Sequence, residues 1–247
     1  SSASLAIAAI VLGLIIPAAA GAAPYKEAKV SNGGTVRGKV RFEGKTPESR
    51  FKTINKDPEV CGTGQREYDK VMISDGTVAE VVVFIQDIAE GKPWPKKSKA
   101  NGTLRQKGCA FLPDDYVVRR ESELKVLNED KVAHNIHTYE MAGKSRITMF
   151  NGGQPGGSDF TKPVRTRRPE SRGIKIECDL HNFMHAYMFV TDSPYFAVTG
   201  AGGSFTVGDI PAGSYTLVAW HPILGEQQAK IEIAAGGAVE QLFTFKN

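Results

Sequence analysis

No charge of one sign dominates this sequence. Its 31 Lys and Arg stand against 27 Asp and Glu, for a net charge of +4. That balance is too mild and too scattered for a nucleic-acid-binding face. The one basic cluster, Arg165-Thr166-Arg167-Arg168 with Arg172 nearby, reads as a solvated loop. Docking of an acidic partner or of lipid headgroups is the alternative use for it. Catalytic signatures are missing too: there is no P-loop, dinucleotide fingerprint, His-Glu-x-x-His pair or spaced carboxylate pair. No enzymatic activity is therefore expected. No long amphipathic helix and no internal repeat can be traced, which excludes helical bundles and solenoids. Cysteine is scarce and odd in number, at 3 residues. In an oxidising compartment that count suggests one disulfide and one thiol with a separate task. Pairing Cys61 with Cys109 leaves Cys178 free, and such a cross-link would contribute about 4 kcal/mol in the chain-entropy view.

What the chain does hold is 26 Gly and many short β-branched runs bounded by Gly, Pro, Asn and Asp. This pattern implies an all-β architecture. Strands are expected over 35–42, 78–85, 103–111, 123–127, 134–139, 174–177 and 187–191. Five more short ones follow or intervene up to residue 245. Residues 25–34 read as a linker and 51–69 as irregular. The run Val78-Ala79-Glu80-Val81-Val82-Val83-Phe84-Ile85 is apolar enough for one central strand. Four segments result: 1–24, 25–95, 96–195 and 196–247.

The first of these has no charge from Ser1 to Tyr25, and Leu5–Ile16 is strongly apolar. As a helix, 5–23 would span about 28 Å, close to a bilayer core. We read it as a retained membrane anchor, with a cleaved secretory signal as the alternative. Both readings place the folded part outside the cytoplasm, on a periplasmic or extracellular face, where a disulfide persists.

The most informative stretch is Cys178-Asp179-Leu180-His181-Asn182-Phe183-Met184. It sets a thiolate, an imidazole and a thioether three residues apart between two expected strands. Each alone has a plain explanation: a buried structural thiol, a surface histidine, a core methionine. Together they are the soft ligands of a metal cycling between Cu(I) and Cu(II), which asks for two His, one Cys and a weak axial Met. One thiolate argues against structural zinc, and one loop cysteine against a dinuclear copper centre. Of the five histidines, His134 best supplies the second imidazole, since it follows a strand and a turn far upstream. His137 falls on the opposite face of the same strand. His185 is expected to point outward, and His221 to be structural.

Phe111-x-Pro113, Leu124–Asn128, His134-Asn135-Ile136 and Cys178-x2-His181-x2-Met184 together resemble the cupredoxins, the blue copper electron-transfer family. The loop spacing is that of amicyanin, with Asn182 where the amicyanin loop carries proline. The resemblance covers about residues 100–192 and implies a Greek-key sandwich. It also implies copper held by His134, Cys178, His181 and Met184, with both imidazoles binding through Nδ1 and Asn135 tying the two ligand loops. It places the His181 ring edge near the surface, beside a docking patch formed by Phe183. The flanks carry a second resemblance. Gly34-Thr-Val-Arg-Gly-Lys-Val40, Val198–Phe205 and Ile210-Pro-Ala-Gly-Ser-Tyr-Thr-Leu217 look like the carboxypeptidase regulatory-like, transthyretin-type sandwich. The cupredoxin is expected to be inserted in or fused to that sandwich.

These features imply a membrane-anchored one-electron carrier serving a c-type cytochrome or a membrane electron-transfer complex, with no nucleic-acid partner. The alternatives are an anchored accessory subunit with an empty or structural metal site, and a copper storage or delivery protein.

Overall fold

The computed structural model describes residues 24–95, 102–113, 116–143 and 145–246. The expected anchor lies outside them. Among the described residues no helix is long and apolar enough to cross a membrane. Nearly every element is a strand, and the only described α-helix is the short Pro58–Cys61.

Residues 103–191 form a sandwich of two sheets. One has the order Phe111–Pro113, Thr103–Gln106, Glu123–Asn128, Asp159–Pro163. The other runs Val117–Arg119, His185–Thr191, Gly173–Glu177, His134–Ala142, Ser145–Gln154. Alternation dictates what each strand buries. In Glu123–Asn128, Leu124, Val126 and Asn128 face inward while Glu123 and Lys125 face solvent. Leu104, Val126, Ile136, Ile174, Ile176, Met188 and Val190 make one apolar core, with Cys178, Phe183 and Met184 at its end.

A second sandwich draws on both flanks of the first. Strand Val82–Ile85 pairs with Phe196–Val198 on one side and Gly213–His221 on the other. Strand Gly34–Glu43 pairs with Ser204–Ile210 and runs parallel to Ala238–Lys246 over nine residues. Its core joins Val36, Val40, Val83, Ile85, Phe205, Leu217 and Phe243. The outer faces of the two sandwiches meet through Phe84, Phe189 and Trp220. Their ring centroids lie 4.9 Å (Phe84–Phe189) and 5.1 Å (Phe189–Trp220) apart.

Three local expectations are corrected. The apolar run 78–85 is not one strand. Glu80 sits in the left-handed region at φ 60°, which turns the chain from the sheet of Thr77–Val78 into that of Val82–Ile85. The Thr199 hydroxyl accepts the Val81 N–H at 3.0 Å and donates to the Val78 carbonyl at 2.8 Å, so the turn leaves no orphaned backbone there. Residues 25–34 are not a free linker. Lys26–Glu27 pairs with Glu90–Gly91, and the Tyr25 hydroxyl donates to the Lys92 carbonyl at 2.6 Å. Residues 51–69 are not irregular: Arg50–Thr53 and Gln65–Tyr68 form a hairpin around the helical turn Pro58–Cys61.

Candidate metal centre

Antiparallel pairing brings the candidate ligands to one end of the first sandwich. His137 stands opposite Glu177, and Glu177 opposite His185. His134 therefore opens its strand beside the point where Cys178 leaves the neighbouring one. The seven-residue loop closes on itself: the Met184 N–H donates to the His181 carbonyl at 2.9 Å and the Cys178 N–H to the Met184 carbonyl at 3.3 Å. The result is a buried group of His134, Cys178 and His181 whose ligand atoms all lie within 4.8 Å of one another. The two Nδ1 atoms are 3.1 Å apart, and the Cys178 Sγ is 3.8 Å from the His181 Nδ1. Met184 is fully buried in the same apolar cluster as Cys178.

The outward nitrogens are both taken. His134 Nε2 is 2.8 Å from an Asp130 carboxylate oxygen, and His181 Nε2 is 2.7 Å from one of Asp57. An ionised carboxylate only accepts, so each Nε2 carries the proton and donates. The two Nδ1 atoms then face each other across 3.1 Å. Sealed from water beside a sulfur, the pair is satisfied either by one proton shared between the two nitrogens or by a cation. Two imidazoles with a thiolate are the donors a soft metal takes, so this donor set suits one. Carboxylates behind ligating imidazoles also fix ring orientation and raise ligand basicity.

Burial pushes the Cys178 thiol upward, while the N–H groups of Asn135 (3.5 Å) and His181 (3.3 Å) pointing at its sulfur favour the thiolate. Burial likewise drives the His134 pKa down, with Asp130 opposing, which keeps the ring neutral and its Nδ1 free to ligate. Burial raises the Asp130 pKa too, but the N–H groups of Cys109 (2.8 Å) and Gly108 (2.6 Å) together with His134 outweigh it. Its carboxyl stays below the usual range. Asn135 spans the two ligand loops: its Oδ1 accepts from the backbone N–H of Asp179 at 2.6 Å and of Leu180 at 3.1 Å. Its Nδ2 donates to Asn151 and Asp179, both at 2.9 Å.

Cys61 and Cys109 form a disulfide, and Cys178 is the free, buried thiol. His137 lies on the face opposite His134, bonded to Asp179 and Thr148 and stacked on Tyr139. His221 is buried and structural, its Nδ1 accepting the N–H groups of Ile223 and Leu224. Other expectations fail. His185 does not point outward: its side chain is 6% exposed and stacks on Tyr68, with centroids 4.7 Å apart. The His181 ring has no surface edge, because Asp57 and the turn behind it cover the Nε2 side; its side chain is 0% exposed. Phe183 is buried under the Arg66 guanidinium, so it offers no docking patch. The sequence reading missed Asp57, Asp130 and Arg66. Asp130 alone carried a signal, four residues ahead of His134, whereas Asp57 reaches His181 across 124 positions.

Comparison with family models and with curated proteins finds no match. Among solved structures, two amicyanin variants are similar, one oxidised and one reduced. They are 11% and 13% identical, each match covering 44% of this chain and 98% of theirs at a TM-score of 0.28. The copper-containing nitrite reductase of Thermus scotoductus is 14% identical over 36% of this chain, also at a TM-score of 0.28. This chain spans about a fifth, 22%, of the reductase's length. These neighbours are cupredoxins.

Proposed function

We propose that this protein is a one-electron carrier with a single type 1 copper held by His134, Cys178, His181 and Met184. One observation carries the reading. Two imidazole Nδ1 atoms and a lone thiol converge in a dry site, with both Nε2 atoms already committed to carboxylates. Copper would supply the Cu(I)/Cu(II) couple. The chain's part is to hold the donors still. Asn135 locks the loop bearing Cys178, Asp130 and Asp57 fix the two rings, and the Asn135 and His181 N–H groups temper the charge on sulfur. Ligands that cannot move suit a centre whose oxidation state changes without rearrangement. The apolar Leu5–Ile16 run supports an anchored, extracytoplasmic location and a membrane complex or c-type cytochrome as partner. We read the second sandwich as the regulatory-like module that presents the carrier to that complex.

Loading with copper and oxidising should give an intense blue thiolate charge-transfer band. Cys178→Ser should abolish it, and Met184→Gln should keep it at a lower potential. Protein that takes up copper and stays colourless would sink the proposal. A second reading is an anchored accessory subunit whose metal is structural, favoured by the absence of an exposed His181 edge. It predicts a bound metal with no reversible voltammetric couple.

A further inference from the structure

The segment between Ile54 and Tyr68 belongs to neither sheet of the first sandwich, yet it closes over the metal centre. Its turn begins at Asp57, held in the left-handed region at φ 48° and ψ 52°. Asp at a helix start ordinarily turns its carboxylate back onto the first free N–H groups of the helix. Asp57 makes no such bond. Its carboxylate points away, to His181 Nε2 at 2.7 Å. A forgone cap at one residue, with its side chain on a candidate ligand instead, marks a position set by something other than the turn's own stability.

Three contacts fasten the turn. The Cys61–Cys109 disulfide ties its end to the loop after Thr103–Gln106, and its sulfurs lie within 4.8 Å of a His181 nitrogen. Arg66 donates to the carbonyls of Cys109 (2.7 Å), Gly108 (3.0 Å) and Cys61 (3.3 Å), and its guanidinium lies over the Phe183 ring. Asp130 completes the frame, since the carboxylate behind His134 also accepts the N–H groups of Gly108 and Cys109. The backs of both imidazoles thus connect to one latched substructure.

We propose that Asp57 is a positioning residue for His181, delivered by a disulfide-latched cap that closes the ligand's outer edge to solvent and to redox partners. This rests on the copper reading for its consequence but not for its geometry. A carboxylate accepting from a ligating imidazole makes that ligand a better donor to the more highly charged metal state. Asp57 therefore holds the potential down as well as holding the ring in place.

Two measurements test it. In metal-free protein, diethyl pyrocarbonate modification of each histidine, mapped by mass spectrometry, should find His181 and His134 protected. Asp57→Ala should speed His181 modification at least tenfold while His134, backed by Asp130, stays protected and so reports an intact fold. Excess dithiol, which leaves Cys61 and Cys109 as two thiols and ends as a cyclic disulfide, should expose His181 likewise. In copper-loaded protein, the conservative Asp57→Asn should keep the blue band and raise the potential. His181 reacting equally in wild type and Asp57→Ala overturns the positioning role, and protection that survives dithiol overturns the latch. An unchanged potential in Asp57→Asn removes the tuning role. Wild type that never turns blue fails the carrier reading alone, because the footprint still judges the cap.

Discussion

A few side chains decide what this molecule can do, and most of them are held by groups far away in sequence. His134 and His181 face each other because Asp130 and Asp57 pull on their far nitrogens. The ligand spacing from Cys178 to Met184 was legible because one loop contains it. Asp130 stands only four residues ahead of His134, but the Asp57 carboxylate was not legible, because nothing local distinguishes it from any other turn aspartate. His221 shows burial acting without any chemistry to serve. Desolvation drives its pKa from 6.5 down to about 4. Between those values the unfolded chain binds a proton that the folded one refuses. Stability should therefore be full above pH 6.5 and fall towards pH 4, by on the order of 3 kcal/mol. Urea midpoints measured across that window should show the loss in wild type. His221→Asn, which still accepts the N–H groups of Ile223 and Leu224, should lose less.

Among the elements, strand Gly34–Glu43 leaves no room for a side chain at one of its glycines. A methyl group at Gly38 would run into the Gln241 carbonyl, and its next contact is the Phe205 ring at 2.9 Å. Gly38→Ala should force the parallel pairing with Ala238–Lys246 apart, at a cost of about 2 kcal/mol or more. A lowered thermal midpoint with histidine protection at the candidate metal centre unchanged is the expected signature. The pattern of β-branched runs bounded by turn residues made most strands legible, as in 123–127 and 174–177. It failed at 78–85, where both halves are buried and only the left-handed Glu80 separates them. It failed again at 51–69, where a disulfide and Arg66 order a polar stretch that has little core of its own.

At the scale of the whole molecule, the two sandwiches share an aromatic contact. Trp220 from one sandwich packs on Phe189 from the other, with Phe84 alongside. Trp220→Ala removes the largest ring of that contact and should lower stability by about 3 kcal/mol. Calorimetry should then show one transition splitting into two if this contact makes the sandwiches unfold as a unit. An unchanged single transition would mean that other contacts couple them. The all-β class was readable from composition and turn residues. The relation between the sandwiches was not, because Phe84, Phe189 and Trp220 each look like an ordinary core residue within its own strand.

The pairing of Gly34–Glu43 with Ala238–Lys246 also sets an order of events during biosynthesis. The partners Arg37 and Glu240 are 203 residues apart. The nascent strand must wait while everything between is made, since its other long neighbour, Ser204–Ile210, also comes late. The sandwich of 103–191 lies wholly inside that interval and has all its own strands first. The half that carries the candidate metal centre can therefore finish folding, and close its disulfide, before the half around it is complete. Slow, non-local closure of the outer sandwich comes last.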